Sequence, residues 1–132
     1  MHVRDAMSSE VLTVGPDHSL RQASRAMAAR RVGAAVVLDS DSEGVGILTE
    51  RDVLDSVGAG QDPDVERVRD HLTGDLVYAA PTWTLQDAAD AMVRGGFRHL
   101  IVLDGGEVAG ILSVRDIVRV WRSERSGTEL VG

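Results

Sequence analysis

The chain has 132 residues, a net charge of −7, a hydrophobic fraction of 43%, 3% aromatics and no cysteine. The missing cysteine excludes a disulfide framework, a thiolate nucleophile and a cysteine zinc site. The acidic balance argues against a general nucleic-acid binder, which needs a basic face. No apolar run approaches the roughly 20 residues that cross a bilayer. The start, Met1-His2-Val3-Arg4-Asp5, lacks the apolar stretch of a signal peptide, so no membrane partner and a cytoplasmic location are expected. All fourteen basic residues are Arg and Lys is absent, which reads as coding bias rather than as a binding signal. The core has to be aliphatic.

In chain order, 11–14 reads as a short strand stopped by Gly15-Pro16. Ser19 and Gln22 form a capping box, and Leu20, Ala23 and Met27 then share one helical face. Ala34 to Leu38 is a small apolar strand. The polar run Asp39-Ser40-Asp41-Ser42-Glu43 turns it back into a strand over 45–48, and a short helix over 50–57 follows. The breaker-rich stretch Gly58-Ala59-Gly60-Gln61-Asp62-Pro63 leads into a linker. The order then repeats: strand 76–78, helix 84–94, strand 100–103, an Asp104-Gly105-Gly106-Glu107 hairpin, strand 108–112 and helix 114–123. Residues 124–132 show no apolar periodicity and are expected to fray.

The repetition extends to residue identity. Val3-Arg4-Asp5 recurs as Val68-Arg69-Asp70, sixty-five positions on, and Pro16, Leu20, Ala23 and Met27 recur as Pro81, Leu85, Ala88 and Met92. Gly46-Ile47-Leu48-Thr49-Glu50-Arg51-Asp52-Val53 recurs as Gly110-Ile111-Leu112-Ser113-Val114-Arg115-Asp116-Ile117. In both copies an apolar strand ends at a hydroxyl residue suited to an N-cap. A carboxylate falls three residues later, at the capping-box position. The division expected is copy one over 1–60, a linker over 61–67, copy two over 68–123 and a tail over 124–132. Units of this size are marginal alone and should share an interface.

The tandem β-α-β-β-α unit, with G-h-h-[ST]-x-x-D closing each copy, resembles a CBS-domain pair, or Bateman module, of the stand-alone bacterial kind. The resemblance covers residues 3 to 122. It implies an α/β (α+β) fold, with two CBS motifs packed sheet to sheet about a pseudo-twofold axis. It also implies a non-enzymatic regulatory or sensor module. Such a module binds an adenosine-containing ligand (AMP, ADP, ATP or S-adenosylmethionine) in the clefts between the copies, works as a homodimer and signals to a separate effector protein.

The resemblance places the motif Asp on the ribose diol and the motif hydroxyl near ribose or phosphate. This agrees with a carboxylate being acceptor-only. It groups Asp116 and Ser113 with Ser9, Val11, Val32, Gly33 and Ala34, and Asp52 and Thr49 with Leu76 and Val77. Arg98 and His99, opening the second strand of copy two, and Arg51 and Arg115, inside the motifs, are the phosphate candidates. If one cleft alone is filled, the one holding Asp116 is favoured.

Plainer readings stand beside these. The motif residues can be helix caps alone, worth roughly 0.5–2 kcal/mol each, and Arg98-His99 can be surface residues. Gly44-Val45-Gly46 precedes a strand rather than following one, so it is no dinucleotide fingerprint. His2, His18, His71 and His99 lack ligand spacing, so no metal is expected, and His18 and His71 read as solvent-exposed. Met7, Met27 and Met92 read as core, and Trp121 as core or an intermolecular contact. No catalytic residues or cofactor are expected. The competing functions are a protein-interaction module with no nucleotide ligand and, less favoured, a nucleotide-processing enzyme, which would need a base or phosphate loop that the motifs lack.

Overall fold

The computed structural model describes residues 1–39 and 44–131, with side chains up to Glu124, so the polar turn expected at 40–43 lies outside the described residues. The chain divides into two compact units, Val11–Leu76 and the combination of Met1–Glu10 with Val77–Gly132. Elements run α1 Val3–Ala6, β1 Thr13–Val14, α2 Leu20–Arg30, β2 Ala34–Leu38, β3 Val45–Thr49 and α3 Glu50–Gly58. After a 3-10 turn at Val68–Asp70 come β4 Tyr78–Ala79, α4 Leu85–Gly95, β5 His99–Asp104, β6 Glu107–Ser113 and α5 Val114–Val131. The fold is mixed α and β, with one three-stranded sheet per unit.

In the unit Val11–Leu76, β1 runs parallel to β2, and β2 pairs antiparallel with β3 from Ala34↔Thr49 to Leu38↔Val45. Helix α2 starts at the expected box, with Ser19 Oγ accepting from Gln22 N at 3.1 Å and Gln22 Oε1 accepting from Ser19 N at 2.9 Å. Its face of Leu20, Ala23 and Met27 joins Ala35, Val37, Leu48 and Val14 in the core. The other unit repeats the plan, with Ala88 and Met92 of α4 packed with Leu100, Val102 and Leu112. Its hairpin turns through Gly105 and Gly106 at φ 61 and 83, a left-handed pair that explains the Asp-Gly-Gly sequence.

Each unit is completed by a segment from the start of the other copy. Val3 N donates to Trp83 O at 2.8 Å and Arg4 N to Pro81 O at 3.0 Å. In the second unit Val68 N donates to His18 O and Arg69 N to Pro16 O, both at 2.9 Å. Ser8 N and Ile111 N exchange bonds at 3.0 Å with each other's carbonyls, and Thr73 N donates to Ile47 O at 3.0 Å. Val3 and Val68 are fully buried as anchors. The repeated glycine makes room for this. A Cβ on Gly110 would stand 2.6 Å from Ser8 O and 2.8 Å from Met7 Sδ, and one on Gly46 would stand 2.9 Å from Leu72 Cδ1.

Several expectations are corrected. The strands expected over 11–14 and 76–78 are the two-residue Thr13–Val14 and Tyr78–Ala79. Helix α1 and the turn at Val68–Asp70 were not expected, being too short to show a helical period. Helix α5 continues to Val131, past the end expected at 123. Gly127 costs only about 1 kcal/mol there, and no proline stops the helix.

Three outcomes follow for stability. Gly110→Ala drives a Cβ into backbone and should cost about 1–3 kcal/mol in urea denaturation. Gly58→Ala, facing open space in the last turn of α3, should be neutral or stabilising. Arg31 caps α2 at φ 55 where the equivalent residue capping α4, Gly96, sits at φ 71. Arg31→Gly should therefore relieve left-handed strain and gain about 0.5–1 kcal/mol, seen as a rise in Tm.

Candidate functional site: two capped carboxylates

The two strand-to-helix junctions carry the motif side chains. At the first, Asp52 Oδ2 accepts from Thr49 N at 2.8 Å and from Thr49 Oγ1 at 2.9 Å, while Asp52 N donates back to Thr49 Oγ1 at 3.3 Å. A third donor comes from the docked segment, Thr73 Oγ1 at 2.7 Å. All three bonds fall on one oxygen, and among the described residues Oδ1 receives none. The carboxylate is half-buried.

At the second junction Ser113 N donates to Asp116 Oδ2 at 2.8 Å and Asp116 N to Ser113 Oγ at 3.1 Å. Here Oδ1 is engaged, because Arg119 Nη1 donates to it at 3.2 Å from one turn further along α5. Asp116 is buried at 9% exposure. The Arg119 side chain is 65% exposed. The residue matching Thr73 is Ser8, whose hydroxyl bonds Glu10 O at 3.4 Å instead.

The openings of the second strands lie beside these junctions within each unit. Glu50 N donates to Gly33 O and Val114 N to Arg98 O, both at 2.9 Å. Ala34 is in register with Thr49, and His99 with Ser113. The structure thus brings Gly33 and Ala34 to Thr49 and Asp52, and Arg98 and His99 to Ser113 and Asp116. Arg51 and Arg115 are exposed in the first turns of α3 and α5. Val11, Val32 and Leu76 belong with the Asp52 unit; Ser9 and Val77 belong with the Asp116 unit. Ser9, Val32 and Val77 are exposed, and Val11 and Leu76 are half-buried. The groupings implied by the family, Asp116 with Val11, Val32, Gly33 and Ala34, and Asp52 with Val77, join residues of different units.

Thr73 and Arg119 were missed. The offset of sixty-five that pairs Thr73 with Ser8 marks a shared hydroxyl, but not that one copy alone would turn it onto the carboxylate. His71 is corrected: it is half-buried, with Nε2 2.8 Å from Glu66 Oε1. His18 is exposed, its Nδ1 accepting from Gly15 N at 3.1 Å. In the Val11–Leu76 unit Arg69 donates Nε and Nη2 to Asp17 Oδ1 at 2.9 and 2.7 Å, and this bond raises its pKa above the ordinary guanidinium value. Among the described residues, no group of three His, Cys, Asp or Glu side chains could hold a metal ion. No helix among them is long and apolar enough to cross a membrane.

Two copies of a three-stranded sheet with flanking helices, each closed by a hydroxyl-capped carboxylate, define a tandem α+β module. The chain belongs to the CBS domain family, whose model matches residues 3–59 and 68–123. It is 31% identical to the CBS domain-containing protein YhcV of Bacillus subtilis over 132 residues, covering 97% of this chain and 91% of that one. Among solved structures it is similar to the CBS-domain containing protein ATU1752 from Agrobacterium tumefaciens (TM-score 0.82, 34% identity, 91% of this chain and 98% of that one). It also shares the fold of the CBS domain pair of protein MJ0100, solved in complex with 5′-methylthioadenosine and S-adenosyl-L-methionine (TM-score 0.82, 19% identity, 94% and 98% covered). Some relatives are longer, and the chain spans 43% of the length of one archaeal protein that it matches at 30% identity.

Thr73→Val keeps the shape of the side chain and removes one donor from Asp52. It should cost about 1 kcal/mol in chemical denaturation. Ser8→Ala at the matching position should stay within about 0.5 kcal/mol.

Proposed function

We propose that the chain is a non-enzymatic regulatory module that binds an adenosine-containing ligand, AMP, ADP, ATP or S-adenosylmethionine, through its motif carboxylates. The observation that carries this reading is the open oxygen of Asp52. Its partner oxygen already accepts three donors, so the cap is satisfied without Oδ1. An acceptor held rigidly at a half-buried junction suits the two O–H donors of a ribose diol. The adenosyl ligands of the MJ0100 domain pair support the same ligand class. Arg98, His99, Arg51 and Arg115 are the cations available to a phosphate, and the family's clefts between copies would let the ligand favour one arrangement of the pair, as any regulatory ligand must.

The functional form we infer is a cytoplasmic homodimer read by a separate effector. Exposed apolar residues on the two closing helices support self-association: Leu54 and Val57 on α3, Val118 and Trp121 on α5. Large aromatics of this kind anchor interfaces. The same residues favour the second reading, a protein-interaction module that takes no nucleotide.

Titration calorimetry separates the two. AMP should bind, and 2′-deoxy-AMP should bind at least about ten-fold more weakly if the diol meets a carboxylate. Asp52→Asn and Asp116→Asn, which keep an oxygen for the cap, should each remove one class of site while Tm moves by only a few degrees. No heat with any of the four ligands would leave the interaction module as the better account.

A further inference from the structure

The two carboxylates are equivalent in backbone and opposite in neighbourhood. The residue three positions after the motif Asp is Asp55 in the first copy and Arg119 in the second. Both sites sit on a helix, where a spacing of three brings side chains together. At the second, the guanidinium donates to Asp116 Oδ1 at 3.2 Å. That is the oxygen left open at Asp52. A ligand binding through Oδ1 therefore competes with Arg119 at one site and with nothing equivalent at the other.

We propose that Arg119 is a self-competing plug on Asp116, so that a diol ligand fills the Asp52 site first. This rests on the ribose-binding reading above and reverses the order of filling expected from the family resemblance. The plug is weak by construction. Arg119 is largely exposed, and exposed ion pairs of this kind contribute little, so it grades the affinity rather than closing the site. It also acts on selectivity. A neutral ligand only loses by displacing the guanidinium, whereas a phosphorylated one can offer it a new anion.

Adenosine is the probe, since it has the diol and no phosphate for Arg119 to follow. In an Asp52→Asn background, which leaves the Asp116 site, Arg119→Ala should tighten adenosine binding about 2–5-fold. Raising the salt to about 0.5 M should tighten binding in the background protein by screening the pair, and have no such effect once Arg119 is gone. In an Asp116→Asn background, Asp55→Arg should install the plug and weaken the Asp52 site by a similar factor. If Asp116→Asn removes the second site while Arg119→Ala leaves its affinity unchanged or weaker, the plug is wrong and the ribose reading stands. If adenosine does not bind the unsubstituted chain, or binds undiminished when both carboxylates are Asn, both fall together.

Discussion

Each unit is held shut by backbone hydrogen bonds made beside a glycine. Ser8 exchanges amide bonds with Ile111 beside Gly110, and Thr73 donates to Ile47 beside Gly46. Those bonds need the two chains at a separation that a single Cβ would abolish at Gly110. Each lost bond of this kind costs about 0.5–1.5 kcal/mol, so the glycine and the docked segment depend on each other. The buried valines at 3 and 68 secure the outer end of each segment. Because each segment comes from the start of the opposite copy, neither β-α-β-β-α copy is complete within its own stretch of chain. The duplicated unit of sequence and the compact unit of structure are different objects.

The docked segment also reaches the candidate site. Thr73 follows Leu72, which lies against Gly46, and its hydroxyl lands on Asp52. The carboxylate is then held from its own helix and from the segment at once. A cap alone is worth roughly 0.5–2 kcal/mol, and one oxygen supplies it. With all the restraint on Oδ2, the other oxygen is oriented without being used. Stability and binding need not compete for the same atom, which is why an Asn substitution can separate them.

The backbone plan was legible because its signals were redundant. The capping box at Ser19, the Asp-Gly-Gly hairpin and the twin hydroxyl-x-x-Asp motifs each appear as local chemistry, and the repeat states most of them twice. What escaped was non-local. Nothing in Leu72-Thr73-Gly74 says that it docks on β3, since its contacts lie more than twenty residues away. Val3–Ala6 and Val68–Asp70 make a turn or less, too little for a period to show. His71 read as exposed because its partner, Glu66, matters only once the turn at Val68–Asp70 brings the two together. The repeat of Val-Arg-Asp marked both segments as alike but not that they change places.

Repetition also hides difference. The backbone bonds of the two units match at an offset of sixty-five through Val3 and Val68, and Arg4 and Arg69. The side chains around the carboxylates do not match. Thr73 turns to Asp52 whereas Ser8 turns away to a carbonyl, and Asp55 gives way to Arg119. Backbone geometry puts a carboxylate at each junction, and it tolerates little change because backbone bonds and a close-packed glycine depend on it. The residues one shell out are exposed or half-exposed, and substitutions there cost little stability. A duplicated fold can therefore keep two identical junctions and still give its two acids different affinities, with the difference written in residues that the fold itself does not need.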